Sequence, residues 1–213
     1  MGKLYFIRHG QTDFNNGKVL QGRKDAHLNA KGLEQAQIMT QYMRRFKLDV
    51  IYSSPLDRAQ KTAQPLAASH NLEYKLLDDL QEVGFGEWEG TSFAKLWEDY
   101  PEGMRCFMGC PGDFTPPGGE SFSEALVRAG RALDYILKTE GHDKNIAIVT
   151  HGALIRVFVC HLLGMPLNNV WKLAVRNVAI TTVNDFEGNL MVESIGDNHF
   201  VEDRETNGSE SIV

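Results

Sequence analysis

Two short apolar runs in this chain each end in histidine followed by glycine. Leu4-Tyr5-Phe6-Ile7 leads into Arg8-His9-Gly10, and Ile146-Ala147-Ile148-Val149-Thr150 leads into His151-Gly152. Runs of this length read as buried strands, and in a parallel α/β sheet ligands bind at the carboxyl ends of strands. A further cation, Arg58, follows Ser53-Ser54-Pro55-Leu56-Asp57, near the start of a helix behind another strand. Arginine in a first helical turn opposes the helix dipole; a bound anion or a surface ion pair would account for it. Two arginines and two histidines converging on one point suit a phosphoryl group, because guanidinium grips phosphate oxygens in a bidentate fork and keeps its charge. Nearby arginines also lower a histidine's proton affinity, leaving a neutral imidazole able to attack phosphorus. Among the carboxylates of Glu82-Val83-Gly84-Phe85-Gly86-Glu87-Trp88-Glu89-Gly90, Glu87 and Glu89 read as solvated. Glu82 ends an extended stretch just before a glycine-punctuated loop and is the candidate for chemistry.

The elements that must position these groups follow from periodicity. Strands are expected at 3–7, 49–53, 73–77 and 145–150. A helix is expected over 31–46, with Leu33, Ala36, Thr40, Met43 and Phe46 on one face. Pro55 behind Ser54 marks the first position of a helix running to about His70. Phe122, Ala125, Leu126, Ala129, Leu133, Ile136 and Leu137 line one face of a second-half helix capped by Ser121 or Ser123. A helix over 153–163 closes at Gly164, and two β-type segments, 177–184 and 189–195, make a hairpin around Glu187-Gly188-Asn189. Strands alternating with helices predict an α/β three-layer sandwich: a mostly parallel central sheet, helices on both faces, and an antiparallel edge. One domain is expected over residues 1–201. Its stretch from about 84 to 120, rich in Gly, Pro, Trp, Phe and Met, reads as an inserted cover under which Trp97 and Tyr100 pack. Residues 202–213 are polar and aperiodic and are expected to be disordered.

Composition narrows the function. A formal net charge of −6 over 213 residues argues against nucleic-acid or anionic-membrane partners. No apolar run approaches the roughly 20 residues that span a bilayer. The strand expected from residue 3 leaves no room for a signal peptide, and three cysteines, Cys106, Cys110 and Cys160, favour a reducing cytoplasm over a disulfide framework. Gly10 to Gly17-Lys18 has the wrong spacing for a P-loop and lacks its Ser or Thr. The two closest cysteines have no histidine or second pair nearby to make a zinc site.

Several motifs stand in order: Phe6-Ile7-Arg8-His9-Gly10-Gln11-Thr12, Asn15, Gln21-Gly22-Arg23, Leu28-Asn29-Ala30-Lys31-Gly32, Ser53-Ser54-Pro55-Leu56-Asp57-Arg58-Ala59, Glu82 with Phe85-Gly86-Glu87-Trp88-Glu89-Gly90, Pro117-Gly118-Gly119-Glu120-Ser121, and Val149-Thr150-His151-Gly152. Together they resemble the histidine phosphatase superfamily, the phosphoglycerate mutase-like family, from Leu4 to about Val183. The resemblance implies that His9 is a nucleophile that becomes phosphohistidine, while Arg8, Arg58 and His151 hold the transferring phosphoryl group. It implies further that Asn15 and the backbone at Gly152 complete the pocket, that Gln21 and Gly22 contact substrate, and that Glu82 protonates the leaving oxygen. No metal or other cofactor is implied, since two arginines neutralise the charge, and the partner is a small-molecule phosphate ester. Mutases of the family carry Glu-Arg-x-Tyr-Gly where this chain has Glu82-Val83-Gly84-Phe85-Gly86, and between 84 and 120 the basic residues are Lys95 and Arg105 alone. A phosphomonoesterase is therefore expected over a phosphoglycerate mutase or a sugar-bisphosphatase; broad-specificity and α-ribazole-phosphate phosphatases of the family look similar. A non-catalytic phosphate-binding module would be expected to have lost His9 or Glu82. A homodimer is an open expectation, since no interface can be read from the sequence.

Overall fold

The computed structural model describes residues 1–201; the expected tail at 202–213 lies outside the described residues. Strands β1 (Gly2–Arg8), β2 (Val50–Ser53), β3 (Tyr74–Leu76), β4 (Asn145–Thr150), β5 (Ile180–Phe186) and β6 (Asn189–Asp197) form one sheet in the order β3-β2-β4-β1-β5-β6. The first four are mutually parallel; β5 runs antiparallel to β1, and β6 antiparallel to β5. The antiparallel edge is thus the late hairpin, which turns through Glu187 and Gly188, both at positive φ, as a two-residue hairpin turn of the primed type requires.

Side chains alternate across each strand. In β1, Leu4 and Phe6 enter one core while Tyr5 and Ile7 enter the other. Helices α2 (Ala30–Met43) and α3 (Asp57–His70) cover the Tyr5 face; α6 (Phe122–Glu140) and α7 (Gly152–Leu163) cover the Phe6 face. This is the expected three-layer arrangement. Ser121 caps α6 in a reciprocal box with Glu124, and Gly164 ends α7 in the left-handed conformation. No helix among the described residues is long and apolar enough to cross a membrane.

The structure departs from expectation at several points. The buried face of α2 runs through Gly32, Gln35, Ala36, Met39, Thr40 and Met43, a register that leaves Leu33 on the adjoining exposed face. Gly32 itself presses its Cα against the backbone of Gln11, where a side chain would strike the Gln11 carbonyl. Helix α3 begins at Asp57, not at Pro55: Ser54 still donates its N–H to Val149 across the sheet, and the chain then bends through Pro55 and Leu56 before the helix starts. The stretch 84–120 folds into α4 (Phe93–Asp99), α5 (Pro101–Gly109) and short 3₁₀ turns. Its Trp88, Leu96, Met104 and Phe107 are fully buried in the same core as Phe6 and Ile148. Trp97 and Tyr100 do not pack beneath it; they are 43% and 45% exposed.

Candidate active site

Parallel pairing puts the carboxyl ends of β1, β2 and β4 at one edge of the sheet. Arg8 stands opposite Thr150, and Ser53 opposite Val149. The next residues continue the ladder, with His9 N–H donating to Thr150 at 3.0 Å and Ser54 N–H to Val149 at 2.9 Å. The two histidines therefore leave neighbouring strands side by side, ring centroids 5.2 Å apart. The order β2-β4-β1 makes this a switch point of the sheet, where crevices form beyond strand ends. The crevice here is a cavity of about 30 Å³ lined by residues that include Arg8, His9, Asn15, Gln21, Arg58 and Glu82. Gly22 and Gly152 also line it, while Phe85 is its one lining residue from 84–120.

Burial is severe for such polar groups: Arg8, His9, Arg58 and His151 are all 3% exposed or less. Burial first, then the charges of Arg58 and Arg8, holds His9 well below the usual imidazole range, against the hydrogen bond to the Gly10 carbonyl. His151 is held down in the same way, by burial and then Arg58. Since a carbonyl only accepts, the 2.7 Å contact between His9 Nδ1 and Gly10 O puts the proton on Nδ1 and leaves the lone pair on Nε2. Arg58 donates to the carbonyls of Gly22 at 2.6 Å and Lys24 at 3.1 Å. Its Nε is buried without a protein hydrogen bond among the described residues. Burial, opposed mainly by the charge of Glu82, brings Arg58 down to about 10, so it stays protonated at neutral pH. Arg8 donates to the Val175 carbonyl at 2.7 Å. This arrangement pairs a neutral imidazole with permanent cations in a site built for an anion.

Glu82 is 8% exposed. Its carboxylate accepts N–H bonds from Val83 (2.9 Å), Leu154 (3.0 Å) and Ala153 (3.1 Å). It therefore sits at the N-terminal end of α7. Asn15 spends its Oδ1 on the N-cap of α1 (Asp13–Asn16), accepting from Thr12 N–H, and also accepts from Asn177. Its remaining amide group is a donor. All the residues singled out from the sequence thus gather at this edge: all but His151 line the cavity, and His151 lies against His9.

Several neighbours were not anticipated. Ser54 Oγ and His151 Nε2 are hydrogen-bonded at 2.8 Å. Asn177 Nδ2 donates to the His9 carbonyl at 3.0 Å, and Val178, next in chain, holds a positive φ of 53° that a β-branched residue rarely adopts. Arg156 is 1% exposed, and burial with the neighbouring charge of Arg8 brings it down to about 9. Its signal was available: it is the one charged residue in the apolar helix α7. Ser54 stood in the sequence only as part of the helix-start motif, with no contact to His151 assigned, and nothing in the sequence pattern marks Asn177. Glu89 is not simply solvated, since its Oε1 accepts from the N–H of both Arg23 and Phe85 at 2.9 Å.

The family model described as histidine phosphatase superfamily (branch 1) matches residues 4–198. The chain belongs to this superfamily. Among its relatives, a putative phosphoserine phosphatase 2 of Hydrogenobacter thermophilus is 32% identical over 86% of this histidine phosphatase and 90% of its own length. The adenosylcobalamin/alpha-ribazole phosphatase of Escherichia coli is 28% identical over 81% of the chain and 85% of its own length. The solved structure of Bacillus stearothermophilus YhfR superposes with a TM-score of 0.88 at 26% identity, over 94% of this chain and 100% of that one. The α/β sandwich of this histidine phosphatase is therefore that of its family.

Proposed function

We propose that this histidine phosphatase hydrolyses phosphate monoesters of small metabolites through a covalent phosphohistidine at His9. One observation carries this reading above the others: a buried neutral His9, flanked by His151 and by two permanent cations, Arg8 and Arg58. His9 Nε2 attacks phosphorus in line; the bond to the ester oxygen breaks, and that oxygen takes a proton from Glu82. Water then attacks phosphorus, the phosphorus–nitrogen bond breaks, Glu82 takes the water's proton, and inorganic phosphate leaves. Arg8, Arg58 and His151 neutralise the equatorial oxygens, so catalysis is mainly positioning and electrostatics. The free amide of Asn15, the side chain of Gln21 and the Gly152 N–H donate to the same oxygens, and Gly22 holds Arg58 through its carbonyl.

Hydrolysis is favoured over mutase transfer because the site offers little to hold a second phosphate. Of the two basic residues in 84–120, Lys95 is committed to Asp99 at 2.8 Å and Glu98 at 3.3 Å. Phosphoserine heads the substrate panel, on the strength of the relative that is 32% identical; α-ribazole 5′-phosphate and 3-phosphoglycerate follow, with a parallel mutase assay. The mechanism is tested by quenching turnover of a ³²P-labelled substrate in alkaline denaturant, where phosphohistidine survives. Label on the peptide carrying His9 is expected, with a loss of about 10³-fold or more in kcat for His9→Ala. An unlabelled His9, or a nearly active His9→Ala, overturns the nucleophile assignment.

A further inference from the structure

The Pro117-Gly118-Gly119-Glu120-Ser121 motif and the buried Arg128 take part in no step above, yet both converge on the backbone of Glu82. Glu82 lies in an irregular segment behind a 3₁₀ turn, outside the ladder of the sheet, so its neighbouring carbonyls need donors from elsewhere. Arg128 supplies them. It donates to the carbonyls of Asp79 (2.7 Å), Gln81 (2.7 Å) and Glu82 (3.3 Å). Its Nε and Nη2 also fork onto the Glu120 carboxylate, each at 2.8 Å. The same carboxylate accepts from Arg23 Nη2 at 2.9 Å, and Arg23 Nε donates to the Glu82 carbonyl at 3.1 Å. One carboxylate thus ties together two guanidiniums that both grip the same carbonyl. Burial alone would raise the Glu120 carboxyl, but the hydrogen bond and charge of Arg128 and the charge of Arg23 hold it below the usual range, so the clamp stays ionised. The backbones join as well: Glu120 N–H donates to Gly84 at 2.7 Å and Glu87 N–H to Pro117 at 3.0 Å. Gly86, at φ +57°, lets the two segments touch where a side chain would collide with Pro117–Gly119.

We propose that Glu120 and Arg128 are positioning residues: with Arg23 they form a charged clamp that keeps the Glu82 carboxyl at the N-terminus of α7. This rests on the acid–base role of Glu82 proposed above. A forked arginine–carboxylate pair is stiff and directional, and a small misplacement of a catalytic group lowers the rate steeply. Arg23 also links the clamp to the 20–24 loop, whose Gly22 and Lys24 carbonyls orient Arg58.

The test compares wild type, Glu120→Gln, Arg128→Lys, Glu82→Gln and the Glu120→Gln/Glu82→Gln double variant on p-nitrophenyl phosphate and on β-glycerol phosphate. The first ester has a leaving group that needs no proton. Acid catalysis is worth roughly 10²–10⁴ in all, so Glu120→Gln should lose about tenfold in kcat/KM on the alkyl ester and little on the aryl one. In the Glu82→Gln background the extra loss should vanish. Arg128→Lys keeps the charge without the fork and should show the same selective loss, which guards against a Glu120 variant that fails to fold. Independently of activity, the amides of Val83, Ala153 and Leu154 should exchange hydrogen faster in Glu120→Gln while Ile148 in β4 keeps its protection. Unchanged exchange at those three amides, or losses equal on both esters and additive with Glu82→Gln, overturns the clamp. Should Glu82→Gln itself harm both esters equally, the acid assignment falls, and the exchange result still decides the positioning claim.

Discussion

At the scale of single residues, the two site histidines are held neutral where a surface histidine would be protonated at mildly acidic pH. His9 and His151 both fall well below 6.5 through burial and the arginine charges, and on unfolding each regains its ordinary value. Between the two values the unfolded chain binds more protons, so the stability they confer is complete above about 6.5 and is lost as pH falls toward the folded value. The slope approaches about 1.4 kcal/mol per pH unit for each histidine. Urea midpoints should therefore fall between neutral pH and pH ~5, and less steeply in a His9→Gln/His151→Gln variant. The exposed His27–Asp57 pair shifts in the opposite sense but is common to both proteins and cancels in the comparison. Equal slopes in the two proteins would show that the buried imidazoles are not the source.

At the scale of elements, the loop carrying Gln21 and Gly22 is shaped by backbone as much as by side chains. Gly22 has φ +55°, and a Cβ there would run into the Glu89 carboxylate. That carboxylate joins the loop to Phe85 through the two N–H bonds it accepts. A left-handed conformation costs an L-residue about 1–2 kcal/mol, so Gly22→Ala should lower stability by at least that much in urea unfolding. It should also reduce kcat/KM, because the Gly22 carbonyl holds Arg58. Gly109, at the end of α5, has open space around its Cα and no positive φ. Gly109→Ala should leave activity intact and stability equal or slightly higher; a Gly22→Ala that behaved the same way would remove the loop from the mechanism.

At the scale of the whole molecule, the stretch 84–120 shares its buried surface with the sheet. Trp88 packs against Phe107 and Phe114, with ring centroids 5.6 and 5.3 Å away, and Phe107 touches Phe122 of α6 at 6.4 Å. A core so connected is expected to melt as one unit. In a Trp97→Phe/Trp171→Phe background, where fluorescence reports Trp88 alone, the urea transition should coincide with the far-UV circular dichroism transition. Two separated transitions would mean that the stretch folds independently of the sheet, as a cover in the literal sense.

The chemistry was legible in the chain because it depends on residue types at strand and helix ends, which apolar periodicity marks out: Arg8-His9-Gly10, Thr150-His151-Gly152, and Arg58 in the first turn of α3. The caps at Ser121 and Gly164 were legible for the same local reason. What pairing alone decided is that β4 lies between β1 and β2, which seats His151 beside a histidine 142 positions earlier in the chain. Periodicity says which face a strand buries, never which strand lies beside it. The same limit hid Asn177 behind His9, Ser54 against His151, and the Arg23–Glu120–Arg128 clamp around Glu82. Each of these is a polar contact between segments distant in sequence, and it comes into being only when the strands of the sheet have paired and its helices are packed.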